Sequence, residues 1–580
     1  MTLFPFILSI ALPLVMALAL IWPQLRGMIW RMLPLAPVPA LVLALISQQP
    51  VSARGDWLVL GLTMGLDDVS RLFAIFTATL WIAAGAAARH WMRNDPRATS
   101  FGVVFLMALS GNLGLILSQD VAGFYAAFAL MSFASYGLVI HARDAKAQAA
   151  ARLYISFVVL GELVLFSGLV LAATQAGSIL LADLRATELS GLAVALLILG
   201  FGVKLGVMPL HFWLPPAHGA APVPASAVLS GAMIKAGLFG MLSTLPLGLV
   251  AYEDHGIVLM VTGMITIFAA LLLGVQQQNP KSVLGFSSVS QMGILALGLG
   301  AALLSPLSFA AILPVLVFLA AHHAFAKGAL FLGVGAWAVQ AGHTGRVLVS
   351  MAIAVPALVL AGLPASSGAL GKEALKAALA NGSEVWLPWL TVALTFSGVA
   401  TTLLVSRFVA LLWLNPPAAP ATRPEALALP FLALLGSAVA LPFVWPTLAR
   451  DLAAPILAAP SGAVWPVALG LAIALGAGIQ AYARKIGPMA FLAQLTAPVR
   501  AVVARGSRGL AAKRRALRRL GNAVPKYLAE KALGWRLGQT AVAALIALVL
   551  IIELGAQLMA ADSAAVPPPM TIFELLETMN

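Results

Sequence analysis

Apolar runs of about bilayer length follow one another along this chain almost from end to end, and that pattern decides its solvent. A helix needs about 20 consecutive apolar residues to cross a hydrocarbon core about 30 Å thick. Such runs fall at 3–22, 30–48, 69–90, 101–118, 121–141, 153–174, 190–213, 224–248, 256–276, 283–303, 308–339, 346–379, 385–414, 426–447, 463–483 and 538–560. The expected fold is an all-α polytopic membrane protein with about sixteen transmembrane helices. Charge agrees: 9% of the 580 residues are Asp, Glu, Lys or Arg, against about 25% in a soluble domain. A β-barrel would show short alternating segments instead. The run 308–339 exceeds what a bilayer needs, so it tilts, bends or extends beyond the membrane. The first run, Leu3–Trp22, lacks a basic leader and a nearby small-residue cleavage site, and reads as an uncleaved span.

The loops alternate in charge. Those after the first, third, fifth, ninth, eleventh and fifteenth runs carry Arg26, Arg93 with Arg97, Arg143 with Lys146, Lys281, Arg346 and a large basic block. Those after the second, sixth, eighth and twelfth carry Asp56, Asp183, Glu253 with Asp254, and Glu384. By the positive-inside rule the first group faces the cytoplasm and both termini face out; the expected location is the cell inner membrane. The basic block 484–537 interleaves Arg and Lys with Leu, Ala and Val at near-helical spacing. It reads as an amphipathic lateral segment on the cytoplasmic face of the bilayer or on a partner, or as a solvated loop that only enforces topology. No nucleic-acid-binding module surrounds it, so nucleic acid is not an expected partner.

The stretch Gly202–Leu242, GVKLGVMPLHFWLPPAHGAAPVPASAVLSGAMIKAGLFGML, breaks the helical pattern. Its prolines remove backbone donors, and non-helical backbone at membrane depth survives only where protein or a water-filled cavity covers it. Each flanking run carries a lysine, Lys204 or Lys235. An ammonium at mid-helix costs roughly 2.5–3.5 kcal/mol on insertion scales, so an intramembrane lysine is a functional candidate by default. Five runs later the twelfth is broken in the same way at GLPASSGALGKEAL (Gly362–Leu375). Broken helices seven and twelve at matching positions suggest two inverted five-helix repeats.

The titratable groups expected at membrane depth are few: Glu162, Lys204, Lys235, His322, His323, Lys327 and Lys372, with Glu373 adjacent. His323 and Lys327 are four apart and share a helix face. Spaced along a hydrated midplane, these groups form a candidate proton pathway. A lysine near a helix end can instead snorkel to the interface, and His322 and His323 can equally serve as interhelical hydrogen-bonders. Pro209, His211 and His218 fall in the expected loop after the seventh run, where they would cap or gate. The Gly and Ser of VLSGAMIKAG and FSSVSQMG also fit close helix packing. No metal site is expected, because no carboxylate sits at ligand spacing beside the histidines. With no cysteine, no nucleotide fingerprint and no haem or flavin motif, the chain is expected to hold no cofactor.

These motifs resemble the antiporter-like membrane subunits of respiratory complex I, energy-converting hydrogenases and multi-subunit cation/proton antiporters. The matching segments are the Lys204 stretch with PLHFWLPPAH, APVPASAVLSGAMIKAG, NPKSVLGFSSVSQMG (Asn279–Gly293), HHAFAKGALFLGVGA (His322–Ala336) and GLPASSGALGK (Gly362–Lys372). They cover about residues 100–415. The resemblance implies N-terminal helices over 1–100, a first antiporter-like repeat over 101–250 and a second, inverted repeat over 251–415. Further helices would occupy 416–483, the lateral segment 484–537, and a last helix with its tail 538–580, as in the longest family members. It makes Lys204 the central lysine of the first half-channel and Lys235 a second lysine on the same axis. His323 and Lys327 become the connecting pair of the second half, and Lys372 the distal residue. One departure stands out. Where the family carries a glutamate that partners the central lysine, this chain has Ala129, and the nearest mid-span acid is Glu162 in the next run. Glu162 is expected either to replace that partner or to face another subunit or a water pocket.

The resemblance implies a proton-translocating subunit of a redox-driven pump, not catalytic alone, within an NAD(P)H-quinone oxidoreductase-like or membrane-bound hydrogenase-like complex. Its partners would be other membrane subunits, the lipid bilayer and peripheral redox subunits. The alternatives are a cation/proton antiporter subunit, a proton channel energising a soluble partner such as an inorganic-carbon uptake protein, and a scaffold with a dead channel.

Overall fold

Long apolar runs in lipid must satisfy their backbone internally, so each becomes a helix. The computed structural model describes residues 2–47, 49–55, 61–380, 382, 385–418 and 424–483. The basic segment 484–537 and the last expected helix, 538–560, lie outside the described residues.

The chain opens with α1 (Phe4–Ala19), α2 (Pro23–Met32) and α3 (Val38–Ile46). A two-stranded antiparallel hairpin follows, β1 (Val51–Gly55) and β2 (Leu62–Leu66). Then come α4 (Asp68–Trp91), α5 (Ala98–Leu117), α6 (Val121–Val139), α7 (Ala145–Ala176), the short α8 (Leu181–Arg185) and α9 (Gly191–Leu205). The broken region holds α10 (Leu214–Ala220), α11 (Val223–Val228), a π-helical turn (Leu229–Met233) and α12 (Lys235–Thr244). Beyond it run α13 (Glu253–Gly274), α14 (Pro280–Leu304), α15 (Pro306–Ala338), α16 (His343–Ala361) and α17 (Ser367–Leu379). The described part ends with α18 (Leu387–Leu414), α19 (Pro424–Ala449), α20 (Ala454–Leu457) and α21 (Trp465–Ala483).

Twelve helical segments among the described residues are long and apolar enough to cross a membrane, and three shorter apolar helices fall at Phe4–Ala19, Gly191–Leu205 and Trp465–Ala477. The chain is therefore a multi-pass membrane protein. The expected run 346–379 is two helices, α16 and α17. The 308–339 run is one unbroken helix, α15, that tolerates Pro314 in its interior.

The hairpin was not legible in the sequence. It sits in the loop expected to carry Asp56, and Asp120 ties it down. That side chain accepts from the Thr63 amide at 2.6 Å while also capping α6 through Gly123 at 2.7 Å. Asp67 caps α4 in a reciprocal box with Ser70.

On another edge, His141 Nε2 pairs with Asp95 Oδ2 at 3.1 Å and joins the loop after α4 to the end of α6. Burial pushes the Asp95 carboxyl up, but the His141 hydrogen bond and the Arg97 amide outweigh it and hold the group below its ordinary 3.8. A lowered folded value means the stabilising contribution is complete above the unfolded value and is lost as pH falls through the folded one. Asp95→Ala is expected to lower detergent-phase thermal stability by an amount in the exposed-pair range of about 0.2–1 kcal/mol. The difference from wild type should fade below pH 3.8, which a pair of melting curves at neutral and acid pH would check.

Both helix breaks follow one recipe. α9 stops at Gly206, whose φ of 76° is left-handed, and α16 stops at Gly362, with φ of 100°. Protein groups then take up the freed backbone. The Met208 amide donates to Thr266 Oγ1 at 3.0 Å, and Trp213 Nε1 donates to the Val203 carbonyl at 2.8 Å. The Ala365 amide donates to the Ser461 carbonyl at 2.8 Å, so the strand of chain before α21 closes the second break.

Candidate functional site

Each break has buried lysines near it, Lys204 in the last turn of α9, Lys235 opening α12 and Lys372 within α17. Lys204 is 3% exposed, Lys235 and Lys327 0%, and Lys372 and Glu162 5%. Burial among protein weighs against the snorkelling alternative for Lys204 and Lys235, whereas Lys372 borders a cavity. Burying an ammonium is tolerated only where other groups share its protons, so the partners of each define the site.

The first group stands where α6, α7 and α9 meet. Lys204 Nζ donates to Ser132 Oγ at 2.8 Å and lies 5.4 Å from the Phe128 ring centroid, a cation–π distance. Glu162, on α7, is an electrostatic neighbour of Lys204. Its Oε1 is buried without a protein hydrogen-bond partner. Ala129 lies one helical turn before Ser132, so the two share a face of α6. Where the related family carries an acid, this helix presents a methyl group. The nearest polar group on that face is a hydroxyl, and the acid comes from α7.

The second group is built on α12 and α15. Lys235 Nζ lies 2.6 Å from His323 Nδ1 and donates to the Ser230 carbonyl at 2.6 Å. That carbonyl belongs to the π-helical turn, where the i→i+5 pattern replaces ordinary α-helical pairing. The Ser230 hydroxyl pairs with that of Ser288 at 2.8 Å, and Ser288 Oγ bonds the Leu284 carbonyl at 3.0 Å. Lys327 Nζ donates to that same carbonyl at 2.9 Å. Lys235 and Lys327 are thus linked through the Ser230 and Leu284 carbonyls and the Ser230–Ser288 hydroxyl pair, while His323, which Lys235 touches, lies one turn before Lys327 on α15. These serines sit in VLSGAMIKAG and FSSVSQMG, where close packing had seemed reason enough for them. The structure gives them polar partners too.

His218 lies inside α10 rather than in a loop, because the Pro215–Pro216 pair starts a short helix in place of an open connection. It is fully buried and stacks on Phe331 with centroids 4.7 Å apart. Its electrostatic neighbours are Lys327, Lys281 and Lys235, and both ring nitrogens lack protein partners. Lys281, read from the sequence as a loop cation, donates to the Ala221 carbonyl at the end of α10. His211 is buried in the turn between α9 and α10, its ring tilted against that of Phe212 with centroids 4.5 Å apart, and Pro209 lies in the same turn.

His322 faces away from this group. Its Nδ1 pairs with Ser367 Oγ at 2.8 Å, just past the second break, and Lys372 is an electrostatic neighbour. Lys372 Nζ donates to the Ala361 carbonyl at 3.1 Å, the last residue of α16. It lines a cavity of about 470 Å³ together with Glu373, Lys376 and the 460–466 segment. Glu373 and Lys376 pair at 2.9 Å on the wall of that cavity. Among the described residues no cluster of His, Asp or Glu has metal-site geometry.

Residues 118–401 match the family model described as the transmembrane region of NADH:quinone oxidoreductase and Mrp antiporters. Hydrogenase-4 component B of Escherichia coli is 33% identical over 290 residues, covering 47% of this chain and 43% of that protein. Na(+)/H(+) antiporter subunit A1 of Staphylococcus aureus is 31% identical over 336 residues, covering 53% and 41%. The chain spans about two fifths of the length of these curated relatives. In fold, it is similar to a chain of the Mrp complex from a Dietzia species, with a TM-score of 0.66 and 22% identity, over 78% of this chain and 97% of that one.

Proposed function

We propose that this chain, which matches the NADH:quinone oxidoreductase/Mrp antiporter membrane family over residues 118–401, carries protons across the membrane as one subunit of a larger complex. The observation that carries the reading is the series of buried cations, Lys204, Lys235, His323, Lys327 and Lys372, each held by polar partners inside the helix bundle. Fixed structural lysines would not be placed in such a series, because each costs desolvation that apolar side chains would avoid.

In the proposed mechanism a charge or conformational change reaches the Glu162–Lys204 group and alters their interaction. A nearby charge changes a lysine's proton affinity, so Lys204 takes up or releases a proton. The change passes to Lys235 and His323, then Lys327, and on to the Lys372 end. Lys281 and His218 mark an inlet from the basic side of the chain, and the cavity beside Lys372 an outlet on the other. Both termini would face outward in the cell inner membrane. The 484–537 segment would lie along the cytoplasmic face, and 538–560 would supply a sixteenth span. The two glycine-terminated breaks, at Gly206 and Gly362, support a pair of inverted five-helix repeats.

Redox subunits outside this chain would drive the pump, with no cofactor held here. A second reading, cation/proton exchange, is favoured by the similarity to a Na(+)/H(+) antiporter subunit. Sealed vesicles containing the native assembly separate the two. Acidification that needs a redox substrate supports the pump, and exchange driven by a sodium or potassium gradient alone supports the antiporter. Glu162→Gln is expected to cut either activity by about tenfold or more, as loss of a charge that acts with Lys204. Undiminished transport in that variant would remove Glu162 from the mechanism.

A further inference from the structure

We propose that Pro442 and Ser367 hold His322 in the neutral form that carries its proton on Nδ1, and that the bare Nε2 passes protons between α15 and the second break. The proposal rests on the reading that the buried cations form a proton path. It adds to that path a histidine that the series Lys204, Lys235, His323, Lys327 and Lys372 leaves out.

The constraint starts on α19. In a helix the carbonyl of residue i accepts from the amide of residue i+4. Ala438 lacks that donor, because residue 442 is a proline inside the helix. Ala438 is fully buried, and a buried carbonyl left unpaired costs about as much as a lost hydrogen bond. The Ser367 hydroxyl donates to it at 3.3 Å. A serine has one proton to give, so toward its other neighbour, His322 Nδ1 at 2.8 Å, the same oxygen accepts. With the ring proton on Nε2 instead, Ser367 would have to serve two acceptors with one proton.

Nε2 then holds a lone pair, buried and without a protein partner. The Cε1 beside it lies against α17, where a Cβ at Gly368 would stand 3.0 Å away. Lys372 is one turn beyond Gly368 on the same helix face and lines the cavity of about 470 Å³. On α15 the next residue is His323, whose Nδ1 is 2.6 Å from Lys235 Nζ. His322 therefore stands where α15, α17 and α19 join, next in the chain to the second group and one helical turn from the residue at the cavity.

The step balances with water as the one co-reactant. A hydronium ion loses a proton: an O–H bond breaks and an N–H bond forms at Nε2. The ring becomes imidazolium and keeps its Nδ1–H on Ser367. The Nε2–H bond then breaks toward a second water, which leaves as hydronium. Ser367 neither gains nor loses a proton, so it is a positioning residue.

The test uses the full chain in its native membrane assembly, with His322→Asn, Ser367→Ala, Ser367→Thr, Pro442→Ala and Lys204→Ala compared at equal amounts of assembled protein. Asparagine keeps a donor for Ser367 but has no titrating nitrogen. It is expected to slow transport by about tenfold or more, within the range of lost acid–base assistance. Nitrogen-15 NMR of histidine-labelled membranes reads the ring itself, its signals identified by their loss in His322→Asn. At alkaline pH the neutral ring should carry its proton on Nδ1 in the wild type and in Ser367→Thr, which keeps the hydroxyl and a near wild-type rate. Ser367→Ala removes the acceptor of that proton. Pro442→Ala returns an amide to Ala438 and frees the Ser367 proton to point at His322. Both should raise the share of rings protonated on Nε2 and slow transport several-fold. A merely structural role for Pro442 would not move the ring proton.

A wild-type ring protonated mainly on Nε2 overturns the proposal, as does a ring unchanged in both Ser367→Ala and Pro442→Ala. Wild-type transport in His322→Asn, with transport lost in Lys204→Ala, also overturns it and leaves the path itself standing. Wild-type transport in Lys204→Ala overturns the path on which it rests.

Discussion

Lys204→Ala is expected to abolish driven proton movement by the assembled complex while the chain still inserts and assembles. The lysine ends α9 at a left-handed glycine, 3% exposed, and its ammonium has one hydroxyl partner and one aromatic face. Removing it takes away the central charge of the first group and leaves Glu162 without the cation that favours its ionised form. The helix itself should persist. Alanine has the highest helix propensity, and the Gly206 cap is untouched. The loss expected is at least about tenfold, equivalent to about 1.4 kcal/mol on the rate-limiting barrier. Lys204→Arg should not restore transport, because a guanidinium keeps its proton throughout the working pH range and cannot release it. Quenching of a pH-sensitive dye in inverted vesicles, normalised to the amount of this chain, measures the effect. A wild-type rate in Lys204→Ala would take the lysine out of the path.

Lys235→Met and His323→Ala should each lose about tenfold or more of the same activity, and the double variant should be scarcely worse than either, since groups that act as a unit are not additive. The reason is their contact, Nζ to Nδ1 at 2.6 Å, with His323 Nε2 lacking a protein partner on the other side. Methionine keeps the length of the lysine stem and its packing, so the α12 core should hold. It leaves the Ser230 carbonyl and His323 Nδ1 unpaired, at about 1–3 kcal/mol for each buried orphan. A modest fall in detergent stability should therefore accompany the loss of transport. Losses that multiply in the double variant would place the two residues on separate paths.

Membrane class, the helix positions and the buried cations were legible in the sequence because each follows from short-range rules. Run length fixes a span, a proline–glycine cluster marks a break, and an intramembrane lysine stands out against its apolar neighbours. The breaks at 206–213 and 362–366 fell where the proline patterns put them. His218 did not behave as its surroundings suggested, because a Pro-Pro pair can start a helix as readily as it can end one. The β1–β2 hairpin was missed because its strands are five residues each and are held by Asp120, more than fifty residues away. Ser132, Ser230, Ser288 and Ser367 carried no sequence signal of their own, since a serine in an apolar helix reads equally as packing.

The sequence alone determined that this chain lives in a bilayer, where most of its long described helices run, and that Glu162, Lys204, Lys235, His322, His323, Lys327 and Lys372 stand among apolar neighbours. Tertiary structure alone decided which of them meet. Lys235 and His323 are 88 residues apart and in contact, and Lys204 meets Ser132, 72 residues away on another helix. Hydropathy is a property of consecutive residues. A proton path depends on hydrogen-bond distances between helices, and those are set by how the helices pack.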